Sequence, residues 1–219
     1  PLQRKRQVDE LTIGTLEIAR KPVPSGEETP KSDKDEPLLP DLPLKVEITS
    51  FNLGKLALGE PILGVAADLS ASGNARLGND PQDGLSLTFD AKRLDRPGTV
   101  AARLGFVPQG QKLDVALNVD EPEGGLIAHL ANIPGQPPVV LDLQGSGPLD
   151  AFAAKLAFKA GEGIGANGTA DLTRQGTARA AKLDMEARIE GLLPEVAAPI
   201  FAGTTKLTGT TLIGDDGSL

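Results

Sequence analysis

Along most of the chain, apolar and polar residues alternate one by one. Leu85, Leu87, Phe89 and Ala91 alternate with Ser86, Thr88, Asp90 and Lys92, and Leu113, Val115, Leu117 and Val119 with Asp114, Ala116, Asn118 and Asp120. The same rhythm places Phe152, Ala154, Leu156 and Phe158 against Ala153, Lys155, Ala157 and Lys159, and Leu183, Met185, Ala187 and Ile189 against Asp184, Glu186, Arg188 and Glu190. A β-strand sends successive side chains to opposite faces, so each run predicts a strand with one oily and one wet face. Val46/Ile48, Leu56/Leu58, Val65/Leu69, Val100/Leu104/Phe106, Leu141/Leu143 and the segment from Leu207 to Ile213 predict less regular members. Turn residues fall between them: Asn79-Asp80-Pro81, Asp83-Gly84, Arg96-Pro97-Gly98, Gln109-Gly110, Gly145-Ser146-Gly147-Pro148 and Arg174-Gln175-Gly176. Short turns between such strands predict an antiparallel meander.

Two segments break the rhythm. Residues 123–133 (EGGLIAHLANI) set Leu126, Ile127 and Leu130 at helical spacing, and residues 192–201 (LLPEVAAPIF) read likewise, with Pro199 limiting the length. Both are expected as short helices inserted between strands. Strand centres otherwise recur about every 13 or 14 residues without a copied motif. At the start, residues 1–19 form a leading strand segment, with Leu11, Ile13, Leu16 and Ile18 interrupted by Gly14. Residues 20–43 are Pro-punctuated, charged and nearly free of large apolar side chains. Such a segment cannot offset the entropy of ordering by burial and is expected to be a flexible linker or loop. Residues 44–219 are the repetitive β segment.

Composition narrows the function. The 219 residues carry a formal net charge of -8 and include no Cys, Trp or Tyr and a single His, His129. No disulfide, thiol nucleophile or Cys-ligated metal is possible, and one His leaves zinc chemistry and most general-base chemistry without residues. An acidic chain poor in aromatics lacks both the charge and the stacking platforms of a nucleic-acid binder. No stretch approaches the roughly 20 apolar residues of a membrane helix, and no signal-peptide pattern is present. Starting at Pro1 and ending on Asp215-Asp216-Gly217-Ser218-Leu219, the chain reads as cut from a longer protein, with any anchor outside it.

Isolated motifs add little. Gly163, Gly165 and Gly168 satisfy G-x-G-x-x-G, but residues 169–173 continue as a strand where a dinucleotide site needs a helix. Asn167-Gly168-Thr169 matches a glycosylation acceptor, and Arg4-Lys5-Arg6 is a basic triplet read as solvated charge. Asp120, Glu121 and Glu123 lack the glycine-centred spacing of a calcium loop and read as a solvated helix entry. His129 among apolar neighbours reads as packing. No catalytic constellation, cofactor site or metal site is expected.

What remains is the apolar face. Six Phe are its whole aromatic supply, and many of its positions are Ala, Gly or Val, which leaves space. A closed sandwich or barrel and an open or hollow sheet both satisfy the pattern.

Residues 39–79 (LPDLPLKVEITSFNLGKLALGEPILGVAADLSASGNARLGN), followed by residues 84–106 (GLSLTFDAKRLDRPGTVAARLGF), resemble the repetitive β domain of the TamB family, the inner-membrane-anchored subunit of the translocation and assembly module of Gram-negative bacteria. The run at 113–161 (LDVALNVDEPEGGLIAHLANIPGQPPVVLDLQGSGPLDAFAAKLAFKAG) shares that family's succession of strand, EPxGGL helix, Pro-Gly break, strand and G-x-GPLDxF. Residues 8–24 (VDELTIGTLEIARKPVP) are similar to the segment preceding that domain. The resemblance implies a mainly β fold: a curved antiparallel meander forming an open, taco-like sheet with a hydrophobic groove and two short helical insertions. It also implies kinship with the AsmA group and the bridge-like lipid-transfer proteins.

The implied function is a periplasm-spanning conduit for phospholipid between inner and outer membranes. The implied partners are phospholipid acyl chains, the outer-membrane barrel TamA or another Omp85-type barrel, and the inner membrane through an anchor outside these residues. On this reading the chain is not an enzyme. Leu85, Leu87, Phe89, Leu104, Phe106, Leu113, Val115, Leu117, Val119, Phe152, Leu156, Phe158, Leu183, Met185 and Ile189 are the expected groove-facing residues. The alternative is a scaffold that assembles outer-membrane proteins by strand augmentation.

Overall fold

The computed structural model of the protein describes residues 4–20, 44–78, 82–193, 196 and 202–214. They form one twelve-stranded sheet. In chain order its elements are β1 (Arg4–Val8), β2 (Leu11–Ile18), β3 (Leu44–Leu58), α1 (Glu60–Leu63), β4 (Ala67–Leu77), β5 (Leu85–Arg93), β6 (Thr99–Val107) and β7 (Lys112–Glu121). Then come α2 (Leu126–Leu130), β8 (Val139–Pro148), β9 (Ala151–Ala160), β10 (Ile164–Gln175), β11 (Ala178–Arg188), a 3-10 turn (Glu190–Leu192) and β12 (Thr205–Gly214). From β3 to β12 each strand pairs antiparallel with the next, and the far edge is not closed onto the near one. The architecture is therefore mainly β: a large, open, mostly antiparallel meander with two short helices.

The leading strands depart from the expected meander. β1 lies parallel to the first part of β3 and β2 parallel to the rest, end to end along one edge. Hairpin turns cannot make parallel neighbours, which need a long connection; the chain between β2 and β3 is residues 19–43, and the linker expected at 20–43 lies, but for Arg20, outside the described residues.

Two further expectations are corrected. Val46/Ile48 and Leu56/Leu58 belong to one long strand, β3, rather than two. Its register slips between Ile48 and Phe51 and again between Leu53 and Leu56. Each slip is a bulge that inserts one residue and restores the apolar side chains to the same face, so a strict period-2 reading misses the continuity. In β2 the skip at Gly14 keeps step with β3, where a Cβ on Gly54 would stand 2.8 Å from the Gly14 carbonyl oxygen. Gly145 to Pro148 is not a turn but the end of β8, and the chain reverses at Leu149 and Asp150. Gly145 is there for packing: the Phe152 ring fills the place its side chain would take, with Cζ 2.6 Å from an added Cβ.

α2 lies within the helix expected at 123–133. Of the one expected at 192–201, only the 3-10 turn ending at Leu192 is described before residues 194–195 and 197–201, which lie outside the described residues, as do the turn residues 79–81 and the tail 215–219. α1 was not anticipated, although Pro61 in its first turn and left-handed Gly64 at its C-cap are start and stop signals.

The connections sort by end. α1, α2 and the 3-10 turn follow β3, β7 and β11, every fourth strand, and all lie at one end of the sheet, the helical rim. The opposite end, the turn rim, carries among the described residues the tight connections β6–β7, β8–β9 and β10–β11. The buried core is small and sits at the helical rim. Ala128 of α2 and Ile133 press onto Val119, Val139, Ala160 and Ile164, with Ile127, Leu141 and Phe158 around them. Val139 is the one large side chain completely enclosed among the described residues.

Candidate functional site: the apolar face of the sheet

Register decides which side chains share a face, because directly paired residues point the same way. One row runs Leu87, Leu104, Val115, Gly145, Ala154, Ala170, Leu183 and Gly209 across β5 to β12. The next runs Phe89, Ala102, Leu117, Leu143, Leu156, Gly168, Met185 and Leu207. Leu85, Phe106, Leu113 and Phe152 lie one row nearer the turn rim, Val119 and Phe158 one row nearer the helical rim. Each expected groove-facing residue except Ile189 therefore occupies a single face. Ile189 lies just past β11, at the entry to the 3-10 turn, and is half-buried. The face extends onto β3 through Val46, Ile48, Phe51, Leu53, Leu56 and Leu58, of which Phe51 and Leu53 escaped the sequence reading and none was expected in the groove.

This face is not sealed by a second layer. Val119 is 4 % exposed beneath α2, whereas Leu87 is 36 % exposed, and most other members of these rows are half-buried. Nor is it uniformly roomy. Phe51 and Phe89 stack with ring centroids 6.4 Å apart across the space above Gly73, and Phe152 covers Gly145. Farther along, small residues leave a shallow depression of about 560 Å³, lined by Phe152, Ala170, Leu172, Ala181, Leu183 and Gly209. That volume is within the range of ligand sites.

The other face is polar and has depressions of its own. One of about 770 Å³ crosses β5 to β10 over Gly105, Ala116 and Ala153, edged by Arg103, Asp114, Gln144 and Lys155. Its charged, hydrogen-bonding walls suit water rather than an apolar guest.

Ionic groups gather at the rims. At the helical rim Glu121 is buried, its Oε1 accepting from the Leu126 amide at 3.1 Å and its Oε2 from Ile127 at 2.7 Å. The solvated helix entry expected there is thus corrected for Glu121, which is the cap of α2; Asp120 and Glu123 are exposed. Arg93, also buried, donates from Nε to Asp95 Oδ1 at 3.0 Å, and this pairing holds the Asp95 carboxyl below its usual range. His129 has its Nδ1 3.2 Å from Gln136 Nε2, while its Nε2 packs on Gly64, where an added Cβ would lie 2.5 Å away. A side chain at Gly64 would thus push α1 off α2.

At the turn rim, Arg174 and Arg179 occupy the next same-face positions beyond Leu172 and Ala181. Arg179 Nε donates to Asp150 Oδ1 at 2.9 Å and its Nη2 to Gln111 Oε1 at 2.9 Å, and Arg174 Nη1 stands 3.8 Å from the same carboxylate oxygen. On the polar side, Lys45 and Arg76 flank Asp83, at 2.7 and 2.5 Å.

The Gly163–Gly168 motif spans a tight turn and the start of β10, and no helix follows it. Asn167 is exposed in mid-strand. Among the described residues no cluster of His, Asp or Glu could hold a metal ion, and no helix is long and apolar enough to cross a membrane. Comparison of the chain with protein-family models, with curated proteins and with solved structures finds no match.

Proposed function

We propose that the apolar face is the inner wall of a hydrophobic conduit for phospholipid acyl chains, curved like a taco around its guests. We further propose that the chain is a periplasmic segment of a TamB-like, inner-membrane-anchored protein working with an outer-membrane barrel such as TamA. The observation that carries the reading is a set of apolar rows in unbroken register, left half-exposed across the sheet. Eleven strands side by side at about 4.8 Å span roughly 50 Å. Drawing one 16-carbon chain into water costs on the order of 12 kcal/mol, from about 0.8 kcal/mol per methylene. A continuous apolar lane removes most of that barrier. Methylenes offer no hydrogen bonds to read, so such a lane needs no catalytic residue and no cofactor.

The test uses carboxylates in the lane. Leu117→Asp or Leu183→Asp should obstruct passage and lower lipid delivery to the outer membrane while circular dichroism stays that of a β-sheet. Unchanged delivery by both folded variants would remove the conduit from consideration.

One observation favours a second reading, a scaffold for outer-membrane protein strands. β12 is a ten-residue edge, in uninterrupted register with β11 and exposed along most of its length. The β1/β2 edge is divided in two. Unblunted edges pair with added strands. A photo-crosslinker at Thr208 should capture polypeptide on this reading, and one at Leu183 should capture lipid on the first.

A further inference from the structure

β1 and β2 form a strap along the outer edge of β3, and that edge is shaped to receive it. From Arg4↔Leu44 to Ile18↔Leu58 the strap keeps one constant offset from β3. β3 is irregular, slipping against β4 between Ile48 and Phe51 and again between Leu53 and Leu56. The strap is interrupted at the same two places. Asp9 and Glu10 part β1 from β2 opposite the first slip, and Gly14 drops out of the pairing opposite the second. Two glycines of the receiving edge admit carbonyls of the strap: Gly54 that of Gly14, and Gly59 that of Ala19, whose oxygen lies 2.5 Å from an added Cβ. The Gly59 amide also donates to the Ile18 carbonyl at 2.9 Å. Little burial holds the strap down, for β2 is exposed at six of its eight residues, and parallel pairing is slightly weaker per residue than antiparallel. Fifteen residues of β3 span about 50 Å, whereas residues 19–43 reach up to about 85 Å when extended. The strap can therefore leave without moving β3.

We propose that the outer edge of β3 is a strand-acceptor site whose resident ligand in cis is the β1–β2 strap. In trans it takes an extended segment of another polypeptide that has the same broken alternation and runs parallel to β3. The backbone ladder supplies affinity, as in other strand additions. The two interruptions and the two glycine seats supply selectivity. A strand of unbroken alternation falls out of step at each slip, and a one-residue shift turns its apolar side chains to the wrong face. Leu11, Ile13, Leu16 and Ile18 of the strap, in contrast, stay beside Phe51, Leu53, Leu56 and Leu58. The sheet then has one guarded edge at β3 and one unguarded edge at β12. The proposal is independent of what the apolar face carries.

The test leaves the chain unaltered and adds an isotopically labelled synthetic peptide of residues 4–19. A tethered segment has an effective concentration in about the millimolar range, so the peptide is supplied at about that level. Hydrogen exchange, followed by mass spectrometry, should quicken about tenfold or more over residues 4–18 of the chain as the peptide takes their place. Amides joining β11 to β12 should be unaffected. A control peptide lacking Gly14 keeps the same charge but puts Leu16 and Ile18 on the wrong face; it should change exchange by less than about twofold. No acceleration by the first peptide overturns the acceptor site. Equal acceleration by both overturns its selectivity and the proposal with it. New protection of β12 in place of release at residues 4–18 puts the added strand on the opposite edge and likewise overturns it.

Discussion

Glu121 satisfies two amide donors at once, and its whole side chain is withdrawn from water. Truncation to Ala leaves both N–H groups without a partner and should cost about 1–3 kcal/mol in urea unfolding. Glu121→Gln keeps one acceptor and should lose less. Amide exchange at Leu126 and Ile127 should accelerate in both variants, and unchanged rates would mean that the cap is dispensable. Asp83 makes a different statement. The hydrogen bond from Lys45 lowers its pKa below the ordinary 3.8, desolvation opposes this, and the charges of Lys45 and Arg76 add to the lowering. A carboxyl with a depressed folded pKa contributes stability that is present above its unfolded value and lost as pH falls through the folded one. The urea midpoint should therefore hold above about pH 4 and decline below it, with a shallower decline in Lys45→Ala. Asp95, lowered chiefly by its hydrogen bond from Arg93, adds to the decline in the same direction.

At the scale of elements, identical strands divide into a sealed part and an open part. Val139 is 0 % exposed under α2, and removing its two methyl carbons should cost about 2 kcal/mol from transfer alone, with a cavity adding to it. Leu87→Ala removes three carbons from a side chain 36 % exposed on the same face and should cost about 1.5 kcal/mol, with water rather than a cavity taking their place. A loss per carbon removed as large at Leu87 as at Val139 would indicate that the open rows are covered in solution. The helices were only half legible. The apolar spacing in residues 123–133 signals α2, but nothing in that spacing says that it folds back over one rim. α1 is a single turn, too short for a hydrophobic period, and only its Pro and Gly mark it.

For the whole molecule, strands make extensive contact only with their ladder neighbours. Stability then approximates a sum over adjacent pairs, as in repeat proteins. Deleting residues 205–214 should remove β12 and leave the remaining sheet folded. Hydrogen exchange should show protection rising from both edges toward β7–β9, where α2 adds burial. A single cooperative transition that abolishes the whole sheet on that deletion would contradict this picture.

Alternation by itself determined that strands form, where most of them turn, and which side chains share a face, because a period of two is set by the backbone and needs no partner. It divided β3 in two, because bulges shift the phase, and it read Gly145 as a turn residue where the glycine makes room for Phe152. The parallel pairing of β1 and β2, the gathering of α1 and α2 at one rim and the arginines meeting Asp150 at the other were decided only in the tertiary structure. They join residues far apart in the chain, and local propensity carries no information about which distant segments will meet.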